Sequence, residues 1–370
     1  MKKTSKSLTQ LALHKFKKNL WGVLSFWFIV VCTFIALFAY VLAPDNSENA
    51  NQMHLSIHSK SPGFSVQMLS IPGTTEEKES WLRSFFYGKT NVDEEIPITG
   101  YSISDKEITI TPYTGEEDEN IEQSFLLKDN FPEDLSPPEI ENNYISNPTF
   151  WLGTDKYGRD FLSRLLIGIR ISLSIGFVAV AISLLIGISL GAIAGYYGGR
   201  IDNFIMWLIN VTWSIPTLLL VIAMTLALGK GFWQVFIAVG LTMWVEVARV
   251  VRGQVKSVKE MQYVTAARAL GYKNFRIIRN HILPNVMAPV IVISAANFAS
   301  AILVESGLSF LGVGAQPPIP SWGAMIKEHY NYIILGKAYL AVLPGLGIMS
   351  LVLAFMLIGN ALRDALDVKN

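Results

Sequence analysis

A polar, basic segment between two long apolar runs reads Tyr263-Val264-Thr265-Ala266-Ala267-Arg268-Ala269-Leu270-Gly271 and continues to His281-Ile282-Leu283-Pro284-Asn285. Its alanine-rich first part predicts a helix that Gly271 ends in a left-handed conformation. The apolar side chains that fall close to one face of this helix are Val264, Ala267, Ala269 and Leu270. A second helix is expected over 273–281, ending near Leu283-Pro284, because the residue before a proline disfavours helix. Segment 258–284 is therefore predicted to form a helix–glycine–helix projection that fits a groove on a partner.

The composition is that of a membrane protein, since 51% of the residues are hydrophobic and only 16% are charged. A bilayer core requires about 20 consecutive apolar residues. Six windows meet this need: 20–42, 171–196, 204–228, 232–251, 286–308 and 339–362. Pro216 and Pro344 interrupt two of them, which neighbouring helices can accommodate. The first window is too long for the core of a signal peptide and is interpreted as a retained anchor. The sequence predicts an all-α polytopic membrane protein with six transmembrane helices.

The net charge of +1 conceals an uneven distribution of charges. Residues 45–144 contain 20 acidic and 6 basic residues, whereas residues 1–19 contain six lysines and no acid. The loop 248–284 carries eight lysines and arginines against Glu260 alone. The positive-inside rule then predicts that both termini and this loop are cytosolic and that the acidic region lies outside.

The predicted organisation has four parts. They are a cytosolic basic arm (1–19), a first transmembrane helix (20–43), an extracytoplasmic insertion (44–148) and a transmembrane domain (149–370) of five helices with a cytosolic coupling loop (252–285). Alternating apolar residues in the insertion predict strands at 54–58, 63–68 and 102–111, and a short helix at 81–87. A small α+β domain and a partly ordered loop both remain open, because 116–119 and 131–141 are typical of solvated linkers.

Two features of the transmembrane domain concern packing. Apolar residues at 161, 162, 165, 166 and 169 share a face and predict an amphipathic helix lying in the membrane interface, which would place Arg164 and Arg170 at headgroup level. Three glycines repeat every four residues at Gly187, Gly191 and Gly195 and form a small-residue ridge. Packing within the chain is favoured over a subunit interface for this ridge.

Catalytic and metal chemistry find little support in the sequence. The single cysteine, Cys32, excludes an internal disulfide and a cysteine metal site. The five histidines form no evident relay or metal cluster with carboxylates, and no Ser/His/Asp arrangement is evident. We therefore expect neither a catalytic site nor a metal site.

The basic segment resembles the "EAA" loop of ABC importer permeases: two alanines, three residues, a glycine, nine residues and then x-x-Leu-Pro. Thr265 stands where that family usually has glutamate, and His281 where it usually has isoleucine. The resemblance implies a coupling helix that docks onto a cytosolic ATPase. The residues it assigns to this loop are Thr265, Ala266, Ala267, Gly271, Arg276, His281, Leu283 and Pro284.

Two further motifs narrow the resemblance to the C-type permease of the dipeptide/oligopeptide/nickel group. The first comprises Gly153-Thr154-Asp155 and Gly158-Arg159-Asp160, followed by Ser163-Arg164 and Gly168-x-Arg170-x-Ser172-Leu173. The second comprises Glu305-Ser306-Gly307-Leu308-Ser309-Phe310-Leu311-Gly312, then Gln316-Pro317-Pro318 and Ser321-Trp322-Gly323. With the basic segment, these motifs cover most of residues 149–370. The insertion is larger than expected for the group.

The resemblance implies a type I importer permease in the bacterial cytoplasmic membrane that moves short peptides, or small solutes such as nickel. It implies a heterodimer with a second permease, two ATPase subunits that carry the ATP and Mg, and an external solute-binding protein. No cofactor on this chain and no nucleic-acid partner are expected. The competing class is a stand-alone secondary transporter or channel, which would show inverted repeats and midplane ion ligands.

Overall fold

The computed structural model describes residues 8–73, 80–90, 93–115, 122–132, 135–229 and 231–367. The lysines at 2, 3 and 6 and the acidic run 116–119 lie outside the described residues. The helices are α1 Leu8–Lys18, α2 Leu20–Leu37, α3 Ala39–Leu42, α4 Trp81–Tyr87, α5 Leu127–Asn130, α6 Pro137–Tyr144, α7 Phe161–Tyr197, α8 Gly199–Trp213, α9 Thr217–Leu228, α10 Phe232–Lys259, α11 Gln262–Ala269, α12 Asn274–Ile277, α13 Leu283–Leu311, α14 Trp322–His329 and α15 Tyr339–Leu366. The strands are β1 Phe64–Ser65, β2 Gln67–Ile71, β3 Glu94–Ile103, β4 Glu107–Pro112, β5 Gln123–Leu126, β6 Ile145–Ser146 and β7 Thr149–Phe150.

The insertion forms a small α+β unit with a core of its own. Five strands make an antiparallel sheet in the order β5-β4-β3-β2-β6, and β1 pairs separately with β7. Buried Leu69, Ile98 and Ile108 pack with Phe131 and Ile140, the latter from α6. A continuous apolar core of this kind belongs to a folded unit rather than to a solvated loop.

The helix predicted in the insertion is present, whereas the predicted strands agree with the structure only in part. The predicted helix at 81–87 is confirmed as α4. The predicted strand at 54–58 is wrong, because Leu55–Ile57 forms a 3₁₀ turn that buries Ile57. The stretch 102–111 is a hairpin rather than one strand: it contains the end of β3, a turn at 104–106 and most of β4, and Ser104 and Glu107 exchange hydrogen bonds across the turn. A short polar turn flanked by isoleucines looks like continuous alternation in the sequence.

Within the part of the chain that the structure describes, five helices are long and apolar enough to cross a membrane: α2, α7, α10, the helical segment Asn274–Leu311, and α15. The separate interfacial helix predicted for 161–170 is wrong, since these residues are the first turns of the 37-residue α7. Arg164 and Ser163 are buried rather than exposed at a membrane surface. Both point into the insertion, which supplies the polar partners described below.

The third apolar window is broken. Helices α8 and α9 meet at 92° around Ser214-Ile215-Pro216, and each is too short to cross a membrane alone, whereas the two together are long enough. Pro216 lacks the N–H group that a continuous helix would require at this point. The interruption predicted at Pro216 in the window 204–228 is therefore present, as a bend of 92°.

The packing of α7 against α10 shows that this bent pair crosses the bundle. A Cβ on Gly187 would lie 2.5 Å from the Val247 Cβ, and one on Gly195 would lie 2.8 Å from the Val255 Cβ. Residue numbers rise together along both helices, so α7 and α10 run parallel. The chain between them must return across the bundle, which gives six crossings.

The remaining helices define two faces. Gly22 at the start of α2 packs on Ala361 near the end of α15, so these two helices are antiparallel. Gly359 of α15 packs on Ala295 of α13, and Phe355 stacks on Phe298, so α13 and α15 are also antiparallel. The start of α2, the end of α15 and the basic segment thus share one face, named here the loop face. The strands lie at the opposite, insertion face.

Candidate functional site

The basic projection on the loop face is built around Gly271. This residue has φ +76°, a conformation that glycine adopts without strain. The N–H of Gly271 donates to Arg268 O at 3.0 Å, and the N–H of Tyr272 donates to Ala267 O at 3.2 Å. These two bonds form a Schellman motif, which ends α11 and turns the chain into its second arm. The left-handed stop predicted at Gly271 is present.

The packing face of α11 is narrower than predicted. Val264 and Ala267 are buried in a cluster with Val255 and with Ile277 of α12. Ala269 and Leu270, assigned to the same face, are exposed instead, Leu270 to 73%. They lie beyond the last contact because the helix ends there and the chain turns away. Thr265 and Ala266 are also exposed.

The second arm does not end where proline was expected to end it. Residues 278–282 form a single π-helical turn, and α13 follows at once with Pro284 in its first turn. Proline is tolerated there because the first N–H groups of a helix need no intrahelical acceptor. Helix thus continues from Asn274 to Leu311, and the predicted end near Leu283-Pro284 is wrong.

Aromatic contacts hold the second arm in place. The hydroxyl of buried Tyr196, at the end of α7, donates to Asn274 Oδ1 at 2.8 Å. His281 stacks on Tyr272 with ring centroids 5.8 Å apart, and the Arg276 guanidinium lies 4.5 Å from the same ring. Leu283 packs against the cluster that buries Val264. Phe275, by contrast, is 71% exposed.

Asp202 ties the start of α8 to the end of α10. Its carboxylate accepts hydrogen bonds from Arg252, at 2.8 Å from Nη2, and from Lys256 Nζ at 2.6 Å. The sequence analysis did not single out this cluster. The available signal was a basic pair at i and i+4 in α10 together with the first acidic residue after α7.

On the insertion face, the Gly153–Asp160 loop locks the insertion onto α7. Gly153 and Gly158 have φ near +75°, and a Cβ on either would collide with backbone of the insertion, at Lys60 and His54 respectively. Buried Thr154 accepts a hydrogen bond from the N–H of Lys60 at 2.8 Å. Close backbone approach explains why glycine occupies both positions.

Asp155 is the centre of a buried ionic cluster, named here the outer cluster (Asp155, Arg159, Arg164 and Glu328). The Asp155 carboxylate lies 2.6 Å from Arg159 Nη2 and 3.6 Å from Arg164 Nε, and Arg159 also reaches Glu328 at 3.2 Å. Arg159 Nη1 donates to Asn51 Oδ1 at 3.1 Å. Arg164, which was predicted at headgroup level, is therefore neutralised inside the protein.

Asp160 caps α7 beside this cluster. Its carboxylate accepts the N–H of Ser163 at 2.8 Å and also bonds the Ser163 hydroxyl. Burial raises the pKa of Asp160 above its ordinary value, and the Ser163 hydrogen bonds oppose that rise. Burial likewise raises the pKa of Asp45, whose N–H donates to the Ser163 hydroxyl at 2.9 Å. The two acids and Ser163 connect α7 to the end of α3.

Asp155, Glu328 and His329 lie close enough together to resemble a metal site, a grouping that the sequence analysis did not anticipate. The atoms that could bind a metal already form ion pairs or hydrogen bonds within the protein. Both carboxylates pair with Arg159, His329 Nδ1 lies 2.7 Å from Met325 O, and Nε2 accepts the N–H of Lys156 at 3.4 Å. Burial lowers the pKa of His329. A cation would compete with a guanidinium already present, and these residues do not fit a metal.

The second motif forms the turn after α13. Fully buried Glu305 accepts the Ser309 hydroxyl at 2.7 Å, and Ser309 Oγ in turn accepts the N–H of Ala315 at 3.0 Å. Gly312 ends the helix with φ +80°. Leu308 is buried, whereas the last two apolar residues of the motif, Phe310 and Leu311, are exposed.

Trp322 and Glu328 bring the two motifs together on the insertion face. The Trp322 indole N–H donates to Leu165 O of α7 at 3.0 Å, and Glu328 joins the outer cluster. The glycine ridge lies elsewhere, in the interior of the bundle: Gly187, Gly191 and Gly195 all pack on α10.

A six-crossing bundle with an exposed basic projection on one face is an architecture typical of transport subunits. Residues 187–369 match the family described as "binding-protein-dependent transport system inner membrane component", and residues 7–62 match "N-terminal TM domain of oligopeptide transport permease C". The chain belongs to this family of ABC importer permeases.

Its relatives include peptide permeases. The dipeptide transport system permease protein DppC of Bacillus subtilis is 42% identical over 241 residues, 64% of this chain and 75% of that protein. The glutathione transport system permease protein GsiD of Pectobacterium atrosepticum is 41% identical over 242 residues, 64% and 80% of the two chains. A solved inward-facing MetNI methionine ABC transporter chain aligns with TM-score 0.44 and 18% identity, covering 55% of this chain and 96% of that one.

Proposed function

We propose that this chain is the C-type permease subunit of an importer that moves short peptides across the bacterial cytoplasmic membrane. The names of its relatives, which include dipeptide and glutathione permeases, support a peptide-like substrate. Nickel or a related small solute is the alternative substrate. The chain itself hydrolyses no ATP and binds no cofactor; ATP and Mg belong to a partner ATPase.

The loop face is cytosolic in this proposal, and both termini lie on the same side. The excess of lysine and arginine in the loop 248–284 and in the arm 1–19 supports this orientation, as does the excess of acid in the insertion. The external partner is then a solute-binding protein that meets the insertion face. A second permease completes a heterodimer, and two ATPase subunits meet the loop face.

One observation carries the coupling proposal: the projection exposes large apolar side chains around its turn, at the loop-face end of a 38-residue helix of which a bilayer core needs only about 20 residues. Leu270 and Phe275 stand on either side of Gly271 with more than two thirds of their surfaces exposed. Exposed apolar groups clustered on a protruding turn are typical of a binding surface. Arg268 and Arg276 flank them and favour an acidic rim on the partner.

The second arm makes the projection a lever. Residues 274–311 are continuous helix, so a force on the ATPase-facing end is passed directly into a membrane-crossing element. Movement of segment 258–284 on nucleotide binding would rock α13 and alternate access between the two faces. The ATPase affects transport only through its different affinity for the two states.

Co-purification of the ATPase with the permease pair tests the proposal. Leu270→Asp and Phe275→Asp are expected to weaken ATPase retention by more than about 30-fold each, as loss of a buried apolar anchor does at other interfaces. Leu55→Asp, an equally exposed leucine in the insertion, is the matched control and should retain the ATPase. Gly271→Pro should also release the ATPase, because proline cannot adopt the φ of +76°.

Retention of the ATPase by all three loop variants would show that the projection is not part of the ATPase interface. Failure of the wild-type chain to retain an ATPase, while it transports peptide in vesicles without ATP, would favour the stand-alone transporter.

A further inference from the structure

A groove with one charged end lies beneath α4 on the insertion side of the bundle. Its volume is about 780 Å³, and it runs between the insertion-side halves of α2 and α7 and the first turns of α10. Apolar side chains make up most of its wall, among them Ile29, Leu37, Phe177, Trp233 and Phe236. Leu37, Phe177 and Trp233 are also exposed at the outer surface of membrane-crossing helices. The groove therefore opens sideways, on the flank of the bundle.

Arg170 lies at the charged end with hydrogen-bonding capacity to spare. Its guanidinium is 5.4 Å from the Tyr40 ring centre and 5.8 Å from that of Phe86, and its buried Nη1 has no hydrogen-bond partner. Among the residues that the structure describes, no carboxylate lies within ion-pair distance of this guanidinium. A charged donor at membrane depth without an acceptor is costly, so an acceptor from outside the chain is favoured.

The mouth of the groove also carries an anion. Glu48 lines the same cavity and is exposed. Next to it, α4 exposes Trp81 and Tyr87 and packs Phe85 edge-on against Phe38 at the end of α2. Exposed aromatic residues beside the end of a membrane helix are typical of the headgroup level of a bilayer. The cation and the anion are thus at the depth where a lipid carries its own charges.

We propose that this groove binds a zwitterionic phospholipid with a primary ammonium, from the leaflet on the insertion side. Its phosphate accepts hydrogen bonds from Arg170 Nη1, its ammonium faces Glu48, and one acyl chain lies along the apolar wall. Guanidinium is well suited to phosphate because it presents several donors in one plane. The volume falls within the range of about 300–1,000 Å³ found for small-molecule sites. The inference does not depend on ATP coupling.

Native mass spectrometry of the assembled transporter, purified with its partner subunits and washed in detergent, provides the test. Arg170→Gln removes the phosphate contact, and Ser174→Trp fills the apolar wall from α7. Each should lower the phospholipid retained per complex by about tenfold. Arg200→Gln and Leu185→Trp change exposed residues outside the groove and are the matched controls.

Headgroup choice is the second readout. Glu48→Gln should keep total phospholipid bound but abolish the preference for ethanolamine over glycerol headgroups after exchange with equimolar vesicles of the two lipids. Equal retention by Arg170→Gln, Ser174→Trp and their controls would overturn the proposal. Photocrosslinking is the third readout: a photoreactive residue at position 177 of the otherwise unchanged complex should label lipid. Labelling of a protein subunit instead would also overturn the proposal.

Discussion

Neutralising Asp155 should destabilise the protein more than any exposed acid can. Asparagine at this position keeps an oxygen for the N–H groups of Tyr157 and Arg159, which Asp155 Oδ1 accepts at 2.8 and 3.0 Å, so the loop can retain its shape. The charge is lost, however, and two guanidiniums that are almost fully buried lose their nearest counterion. Breaking a buried ion pair by removing one partner costs about 3–5 kcal/mol.

The assay is thermal unfolding of the purified permease, followed by the loss of its monodisperse elution peak. For chains of 150–250 residues, 1 kcal/mol corresponds to about 2–4 °C, and the value falls with size. Asp155→Asn should therefore lower the midpoint by about 5–10 °C. Asp105→Asn, in the exposed turn between β3 and β4, should change the midpoint by less than about 1 °C.

A double variant separates the charge effect from simple disruption. Arg159→Met removes the partner that binds Asp155 most closely, and the double variant Asp155→Asn/Arg159→Met should lose less than the sum of its single changes by at least about 1 kcal/mol. Strict additivity would show that the two residues contribute independently. An unchanged midpoint in Asp155→Asn would refute the idea that the outer cluster holds the insertion on the bundle.

Three further outcomes follow from single contacts. Gly191→Ala should destabilise the chain by about 1–3 kcal/mol in the same melting assay, because the added Cβ would collide with the backbone of Ala248. Gly253→Ala is the control and should be neutral or stabilising, because no atom lies near the position of its Cβ. Burial lowers the pKa of His329, so the unfolded chain binds a proton more readily than the folded chain does. The contribution of this histidine to stability is therefore complete above about pH 6.5 and is lost as the pH falls below that value. His329→Gln should therefore flatten the melting profile between about pH 7.5 and 5, and an equal acid loss in both proteins would contradict this. Tyr196→Phe should cost about 1 kcal/mol and speed backbone hydrogen exchange in the second arm, while unchanged exchange would show that its hydroxyl does not hold that arm.

The sequence revealed the elements whose signal is local. Long apolar runs mark the membrane helices, and the glycine at 271 marks the end of α11, because each depends on residues next to one another. Burial on α11 was predicted less well. The helix leaves its neighbours after Ala267, so Leu270 is exposed although it fits the same periodicity.

The outer cluster could not be derived because its members are far apart in sequence. Arg164 looks like an interfacial charge when only α7 is considered, and its neutral setting comes from Asp155 and from carbonyls of the insertion near residue 50. Glu328 joins from α14, more than 160 residues away. Only tertiary structure brings such charges together, and it places Arg164 inside the protein rather than at the membrane surface, where the apolar pattern of α7 had placed it.

The helical segment 274–311 connects the two ends of the molecule and also determines where it can bend. At about 1.5 Å per residue its 38 residues extend roughly 57 Å, from the exposed Phe275 to the turn held by Glu305. Sharp bends in helices occur at prolines and π-turns, and here both lie near the loop face, at Pro289 and at 278–282. The insertion-side half has neither, and its end is fixed through Glu305 and through contacts with α14. Motion of the projection is therefore expected to rock α13 about the turn at 305–323, which stays in place, while any bending is taken up at 278–289. The outer cluster, which includes Glu328 of α14, lies next to that stationary turn, and the loop face moves relative to it.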